Sequence, residues 1–438
     1  MKDFIAKVIF ILLDILMILL SVYLAFLLRE SFNTLEPHTI EYTTYLTFYP
    51  LYVILIAFFT YEGLYTFRYD FWHESRLVIK VIIFSAILVF AYLAMTKSIE
   101  NYSRLVIGIS FIIMIILIPL AKNISKKALY TLKIWQKKAD IYGNDPFLTA
   151  EIYGNPYLGY VKPQKDEVFS TIFVNSQGSD SQTLKNVLSS QIKQKHEVIF
   201  IPIMDDYDLT HSHIYELSNT RTNLIIYRNR LKSWYRRIIQ QSFNYFLAIL
   251  LLPILLPIIA ILAILIKKES KGSIFFVHTR IGKNGKKIPT LKFRSMYSDA
   301  QERLATLLKE DEAIKKEWEK SFKLKGDPRI TKLGAFLRKT SLDELPQIFN
   351  VLMGHMNFVG PRPVTQEELD KHYKDNTSYY FMVKPGITGL WQVSGRSDTD
   401  YDFRIKTDKW YVLNWSLWLD IVILIKTIKV VLKHDGAY

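Results

Sequence analysis

Residues 243–266 read FNYFLAILLLPILLPIIAILAILI, and this stretch decides how the chain meets a membrane. It holds no charged residue, and Pro253 and Pro257 lie near its centre. Basic pairs flank it on both sides, Arg236-Arg237 before it and Lys267-Lys268 after it. By the positive-inside rule both flanks belong on the cytoplasmic side, which a single spanning helix cannot satisfy.

The two prolines offer a solution, because proline lacks the N–H group and clashes with the preceding helical turn. Each arm of ~12 residues, at ~1.5 Å per residue, reaches ~18 Å, or about half of the hydrocarbon layer. We therefore predict a re-entrant membrane helix over residues 238–266, with its kink at Pro253 or Pro257. The alternative is a fifth span with two tolerated prolines, which would put everything after Ile266 on the opposite side of the membrane.

Four earlier apolar segments each approach the ~20 residues that a spanning helix needs. Asp14 and Lys80 are the charged residues inside them, and helix packing explains such residues better than transport. Lysines are dense from Lys122 onward, whereas the first loop is acidic, so the N-terminus and the region after Lys122 are predicted to be cytoplasmic. The segments are residues 4–28, 43–61, 77–95 and 105–121, which together predict a four-helix membrane bundle over residues 1–122.

The overall composition agrees with a membrane protein. The 438 residues are half hydrophobic, with a net charge of +15 and a mean hydropathy of +0.11. This combination indicates an anionic membrane surface as partner rather than nucleic acid. The chain has no cysteine, which excludes disulfide frameworks, thiol nucleophiles, Fe–S clusters and zinc ribbons.

Residues 139–230 read as a soluble, small α/β domain. Short apolar runs at 168–174, 197–203 and 223–227 alternate with a helical stretch at 184–194. The layout resembles a reduced nucleotide-binding-like fold, but it lacks the G-x-G-x-x-G turn that cradles a pyrophosphate. We therefore expect a structural or regulatory domain, with ligand sensing as the alternative.

The remaining residues, 267–438, carry the chemistry, and the adjacent carboxylates of Asp343 and Glu344 stand out. One interpretation is a capping box, Ser341-x-x-Glu344, which would make Glu344 a mere cap. Pro346 argues against it, because with Asp343 as the N-cap the proline falls in the tolerant first turn of the helix. This register is favoured, and it places Asp343 at the positive end of a helix, where phosphate also binds.

Basic residues in separate Gly- and Pro-containing motifs complement this carboxylate pair, which indicates converging loops. Guanidinium groups match phosphate oxygens, although contact with anionic lipid headgroups is an alternative for each arginine. Carboxylates beside cations, without His or Cys clusters, favour Mg²⁺ and phosphoryl transfer. Residues 410–433 carry tryptophans and end in lysines, which indicates an interfacial helix or, alternatively, a packing helix. The basic residues are Lys292, Arg294, Arg338, Arg362 and Arg396.

Five motifs in order resemble the bacterial sugar transferase family, the monotopic polyprenyl-phosphate phosphoglycosyl transferases. The four spans and the reduced α/β domain resemble its long-form members, such as undecaprenyl-phosphate galactose-phosphate and glucose-phosphate transferases. The resemblance implies a mainly α-helical monotopic catalytic domain at 267–438, a re-entrant helix and a C-terminal interfacial helix. The motifs are KFRSM at 292–296, DPR at 327–329, SLDELPQ at 341–347, GPRP at 360–363 and KPGITG at 384–389.

The resemblance also implies the reaction, in which a hexose 1-phosphate moves from a UDP-sugar to undecaprenyl phosphate and UMP is released. Galactose or glucose is the favoured sugar. Asp343 would be the nucleophile that forms an aspartyl-phosphosugar intermediate, and Glu344 would be associated with Mg²⁺. The expected phosphate contacts are Lys292, Arg294, Arg338, Gln347, Arg362 and Arg396.

Such an enzyme initiates O-antigen, capsule or exopolysaccharide repeats from the bacterial inner membrane, with its catalytic domain on the cytoplasmic face. Its expected partners are membrane lipid and a second copy in a homodimer, with no nucleic acid. Three alternatives stay open: an N-acetylated or modified sugar, a glycosyltransferase that releases UDP, and a non-enzymatic scaffold for polysaccharide export.

Overall fold

The computed structural model of the chain falls into two compact units, Met1–Ile203 and Met204–Tyr438. Most of the chain is helical, as predicted, with a small parallel sheet in the first unit. The structure describes residues 2–31, 40–97, 101–143, 145–164, 167–176, 181–195, 197–202, 213–217, 222–226, 231, 233–310, 324, 327–394 and 400–433.

The first unit begins with helices at all four predicted apolar segments. By length and composition alone, each of these segments could cross a membrane, as could the helix of residues 234–269. The second segment is divided in two around Thr47 and Phe48, just before Pro50 in the first turn of the next helix. The helices are α1 (Lys2–Ser31), α2 (Tyr42–Leu46), α3 (Tyr49–Tyr61), α4 (Phe71–Met95) and α5 (Arg104–Thr131).

Charged side chains lie in the interior of this bundle. Asp14 of α1 is buried and lies 2.9 Å from the ammonium of Lys122, while Lys126 contacts Glu74 of α4. The prediction that Lys122 and Lys126 are loop charges is wrong, because α5 continues to Thr131 and carries both lysines into the bundle. Tyr65 and Tyr157 donate hydrogen bonds to Asp14 and Glu74, at 2.7 and 2.8 Å.

Lys80 differs from Asp14, since its side chain is half exposed and pairs with Glu62 at 2.6 Å. It thus has the position of a side chain near the end of a span.

A four-stranded parallel sheet follows the bundle, in the order β2-β1-β3-β4. Parallel strands and their crossover helices confirm the α/β prediction, since parallel pairing requires long connections. The third predicted run forms β6, which pairs antiparallel with β5 in the second unit. The elements are β1 (Lys137–Tyr142), α6 (Pro146–Gly154), β2 (Tyr160–Val161), β3 (Thr171–Asn175), α7 (Ser181–Gln194), β4 (Glu197–Ile201), β5 (His213–Leu217) and β6 (Thr222–Ile226).

Helix α8 (Trp234–Glu269) opens the rest of the second unit and contains both Pro253 and Pro257. Near its start, Asn244 accepts a hydrogen bond from the backbone N–H of Phe358 at 2.6 Å. At its end, Glu269 accepts one from the N–H of Leu333 at 3.0 Å. Both ends of α8 therefore contact the same folded body, while apolar residues between them stay exposed: Ile249, Leu250, Ile254, Leu256 and Ile261.

That body combines an antiparallel hairpin, a short parallel strand pair (β9 with β10) and small helices around one core. Helix α16 buries Ile423 and exposes Ile428 and Leu432, so one apolar face of this predicted interfacial helix stays open. The elements are β7 (Phe275–Ile281), β8 (Lys287–Phe293), α9 (Ala300–Glu310), α10 (Lys332–Thr340), α11 (Gln347–Leu352), β9 (Asn357–Val359), α12 (Gln366–Glu368), α13 (Thr377–Tyr380), β10 (Gly386–Thr388), α14 (Leu390–Ser394), α15 (Tyr401–Asn414) and α16 (Leu417–Lys433).

Candidate active site

The carboxylate pair lies in the turn between α10 and α11. Ser341 ends α10 in the left-handed conformation, with φ of 57°, and a single 3₁₀ turn, Leu342–Glu344, follows it. Ser341 makes no side-chain capping hydrogen bond in the described chain, so the capping box is wrong. The register with Asp343 as N-cap is also wrong, because Pro346 holds that position and α11 begins at Gln347. Neither carboxylate therefore serves as a helix cap.

Strand β8 brings a lysine to the pair. The buried side chain of Asn350 fixes α11 to β8, since it accepts from the N–H of Leu291 at 2.9 Å and donates to the carbonyl of Pro289 at 2.6 Å. Lys292 Nζ then lies 2.6 Å from Glu344 Oε1 and 3.7 Å from Asp343 Oδ2. The lysine holds Glu344 tightly and Asp343 loosely.

Burial and the neighbouring charges drive the two carboxylates apart. Burial raises the pKa of Asp343, and the neighbouring Glu344 raises it further, against opposition from Lys292 and Arg338. Burial also acts to raise the pKa of Glu344, but Lys292 and Arg362 outweigh it, and that pKa lies below its ordinary value. Two neighbouring carboxylates with divergent pKa values are typical of a site that assigns them different roles.

Helix α10 supplies Arg338 to the same place. Its Nε donates to the hydroxyl of Ser295 at 2.9 Å, and burial lowers its pKa while Asp343 raises it. Gly334 permits this approach, because a Cβ there would lie 2.0 Å from the carbonyl oxygen of Ser295. The SLDELPQ and KFRSM motifs thus meet through this helix.

The GPRP and KPGITG motifs are pressed together along their backbones. The N–H of Gly360 donates to the carbonyl of Thr388, and that of Gly386 to the carbonyl of Pro361, both at 2.9 Å. A Cβ on Gly386 would lie 2.1 Å from the nitrogen of Gly360, so both positions require glycine. This packing fixes the loop from which Arg362 acts on Glu344.

The other predicted site residues lie in different settings. Arg294 donates to the carbonyls of Lys271 and Ser270 at 2.7 and 2.8 Å, so its guanidinium joins β8 to the chain just after α8. Gln347 is buried at the start of α11. Arg396 lies outside the described residues. Phosphate binding by these three residues stays a prediction.

Sequence reasoning missed a second polar network beside Arg362. Glu368 accepts from Arg280 at 2.8 Å and from the hydroxyl of Tyr401 at 2.8 Å. Arg404 donates to the same hydroxyl at 3.1 Å and to the carbonyl of Arg362 at 3.5 Å. The available sequence signal was the capping box Thr365-x-x-Glu368, which the structure contains.

The donor set fits a magnesium ion shared with a phosphorylated substrate. Among the described residues no group of three or more His, Asp or Glu side chains is arranged to hold a metal alone. Mg²⁺ commonly uses one or two protein carboxylates and completes its octahedron with water and substrate phosphate. Asp343 and Glu344 supply such carboxylates, and Lys292 demonstrates that a cation is accommodated beside both.

Comparison with known proteins gives concordant results. The sequence model of one family, described as bacterial sugar transferase, matches residues 235–434. An undecaprenyl-phosphate galactose phosphotransferase of Salmonella typhimurium is 38% identical over 85% of this chain and 84% of its own length. A UDP-galactose-lipid carrier transferase of Erwinia amylovora is 35% identical over the same shares. A UDP-glucose:undecaprenyl-phosphate glucose-1-phosphate transferase of Escherichia coli is 30% identical over 69% of this chain and 66% of its own length.

Proposed function

The chain belongs to the bacterial sugar transferase family, and from that premise we propose that it moves a hexose 1-phosphate from a UDP-hexose to undecaprenyl phosphate. The products are undecaprenyl-diphospho-hexose and UMP. The observation that carries the proposal is the uncapped Asp343-Glu344 pair with Lys292 and Arg338 beside it, inside the region that matches the family. Galactose is the first choice of sugar, since the two relatives similar over most of this chain are named for galactose.

The proposed chemistry has two steps. A carboxylate oxygen of Asp343 attacks the phosphorus that bears the sugar, the bond from that phosphorus to the bridging oxygen breaks, and UMP leaves with the oxygen. A phosphate oxygen of undecaprenyl phosphate then attacks the same phosphorus and releases the Asp343 carboxylate. A covalent intermediate suits a water-soluble donor and a lipid-bound acceptor, because each can bind in turn at one site.

Each charged neighbour has a role in this scheme. Lys292 and Arg338 lie on either side of Asp343 and offset the negative charge that gathers during transfer. Glu344, whose pKa is lowered, stays ionised and with Asp343 would hold Mg²⁺. When bound, the ion supplies charge neutralisation for the diphosphate. Arg362 is held beside Glu344 for contact with a substrate phosphate.

The sharpest test follows the phosphate. Membranes containing the chain are incubated with undecaprenyl phosphate and a UDP-hexose labelled in the phosphate next to the sugar. We expect UMP release and label in the lipid product, with galactose and glucose donors compared directly. Release of UDP with no label in lipid would instead indicate a glycosyltransferase, and full activity of Asp343→Asn would exclude the covalent step.

The proposed membrane arrangement is a cytoplasmic catalytic unit in the bacterial inner membrane, with α8 re-entrant. Two observations support it: the basic residues at both ends of α8, and the contacts of Asn244 and Glu269 with one folded body. The natural chain has no cysteine, so single cysteines replacing Arg237 and Lys268 can be labelled by an impermeant reagent. We expect both to react in inverted vesicles and neither in intact spheroplasts. Labelling from opposite sides would establish a spanning helix.

A further inference from the structure

A shallow recess lies where the start of α8 meets the turn of the β7–β8 hairpin. Three basic side chains line it: Arg237 from the first turn of α8, Lys283 from the hairpin turn, and Lys384 from the segment before β10. The neutral residues Gln241 and Asn357 complete its polar wall. No acidic residue lines it.

The three cations are left without countercharge. In the described parts of the chain, none of them forms an ion pair with a carboxylate. Burial lowers the pKa of Lys283, and the charge of Arg237 lowers it further. Burial likewise lowers the pKa of Lys384, with a contribution from Lys283. Clustered cations of this kind are stabilised by a bound anion.

The surroundings indicate that the anion belongs to a lipid. Trp234 and Tyr235, in the first turn of α8, are exposed by 69% and 46%, as is usual for aromatic residues at a membrane interface. The following turns expose Phe246, Ile249 and Leu250. A headgroup in the recess could therefore extend its acyl chains along an apolar helix face.

The recess lies away from the carboxylate pair. It adjoins the turn end of the hairpin, while Lys292, which contacts Glu344, is five residues further along β8 than Lys287 at that end. At ~3.3 Å per residue this separates the two places by ~17 Å. A phosphate in the recess is therefore not at the reacting carboxylate.

We propose that Arg237, Lys283 and Lys384 form a binding site for the headgroup phosphate of an anionic phospholipid, separate from the site of transfer. The bilayer that surrounds α8 supplies this ligand, which anchors the start of the helix at the level of the headgroups. The inference concerns lipid binding alone and does not depend on the reaction proposed above.

Lipid retention tests it directly. The full chain is reconstituted into bilayers of equal parts phosphatidylcholine and phosphatidylglycerol, extracted in mild detergent, and its bound lipids are measured by native mass spectrometry without any sugar nucleotide. We expect phosphatidylglycerol to be enriched on the natural chain and roughly tenfold or more depleted on Lys283→Gln/Lys384→Gln. The matched control is Lys286→Gln/Lys287→Gln, which removes the same charge from exposed positions of the same hairpin and should retain the lipid.

Further arms separate folding and other phosphates from the proposed site. The charge-conserving variant Lys283→Arg/Lys384→Arg should keep the enrichment, which shows that loss in the glutamine variant is not misfolding. Inorganic phosphate should not displace the phospholipid. Equal retention by the recess and control variants would overturn the proposal, and so would displacement of phosphatidylglycerol by an equal amount of undecaprenyl phosphate. Because no transfer is measured, these outcomes are independent of whether the chain is a transferase.

Discussion

Two charge clusters in this molecule use the same residue types to opposite ends. The bundle cluster consists of Asp14, Glu74, Lys122 and Lys126, and the catalytic cluster consists of Asp343, Glu344, Lys292 and Arg338. Each contains two carboxylates and two cations. The difference lies in closure, because the bundle side chains are 1% exposed whereas Asp343, Glu344 and Lys292 are 14 to 25% exposed.

Closure decides what the charges can do. In the bundle cluster, tyrosine hydroxyls and lysines surround the carboxylates, so the charges are spent on each other and join α1, α4 and α5. In the catalytic cluster Lys292 lies 2.6 Å from Glu344 but 3.7 Å from Asp343, which leaves Asp343 open on one side. We infer that the first cluster stabilises the fold and the second receives a substrate.

The largest expected effect comes from Asp343→Asn. It should lower the rate of UMP release by at least roughly 10³-fold, because the amide cannot act as the nucleophile. The thermal unfolding temperature should stay nearly unchanged. Exposed Asp402→Asn is the matched control and should keep its activity. A large fall in stability without loss of turnover would mean that this cluster, too, is structural.

The second expected effect is the reverse pattern, from Lys122→Met. Removing one member of a buried ion pair leaves an uncompensated carboxylate and costs ~3 to 5 kcal/mol. The free energy of unfolding in detergent should fall accordingly, while the rate per folded molecule stays the same. Asp14→Asn/Lys122→Met should recover most of the stability, because the unpaired charge is gone. A variant of normal stability that cannot transfer sugar would contradict the structural assignment.

Lys292→Met should have an intermediate effect that is visible in the pH profile. Lys292 helps hold the pKa of Glu344 below its ordinary value, so its removal raises that pKa and Glu344 becomes protonated at a higher pH. The acidic limb of the activity profile should therefore move upward. Lys292→Arg keeps the charge and should keep the limb near its original place. An unchanged limb in the methionine variant would show that Glu344 does not control it.

The smallest effect is expected from Arg404→Gln, which touches the catalytic cluster only through Arg362. Arg404 is a positioning residue, so we expect a decrease of roughly tenfold in kcat/KM with little change in the pH profile. Arg404→Lys should recover part of the loss. If the loss appeared only as lower stability, the network of Glu368, Tyr401 and Arg404 would resemble the bundle cluster instead.

The sequence predicted the catalytic cluster better than the bundle cluster. Asp343, Glu344 and Lys292 lie in motifs whose glycines and prolines restrict the backbone, and the structure brings them into contact. Lys122 and Lys126 follow an apolar segment and look like loop charges. Only contact with Asp14 and Glu74, far away in sequence, shows that the helix carries them inward.

Two local details could not be predicted for physical reasons. Ser341 takes a left-handed conformation that is uncommon for residues other than glycine, and this conformation sets the register of the whole turn. Arg294 is two residues after Lys292, just beyond the end of β8, and its guanidinium meets the chain after α8 rather than remaining on the path of the lysine. Local sequence gives no signal for either choice.

The attachment of the folded body to both ends of α8 has a kinetic consequence. Asn244 and Glu269 hold that body at the membrane surface, so the enzyme meets a lipid-linked acceptor by lateral diffusion in two dimensions. Its rate should then follow the mole fraction of undecaprenyl phosphate in the bilayer and not its bulk concentration. Diluting the acceptor with inert lipid would slow the enzyme even when the total amount of acceptor in the tube is constant.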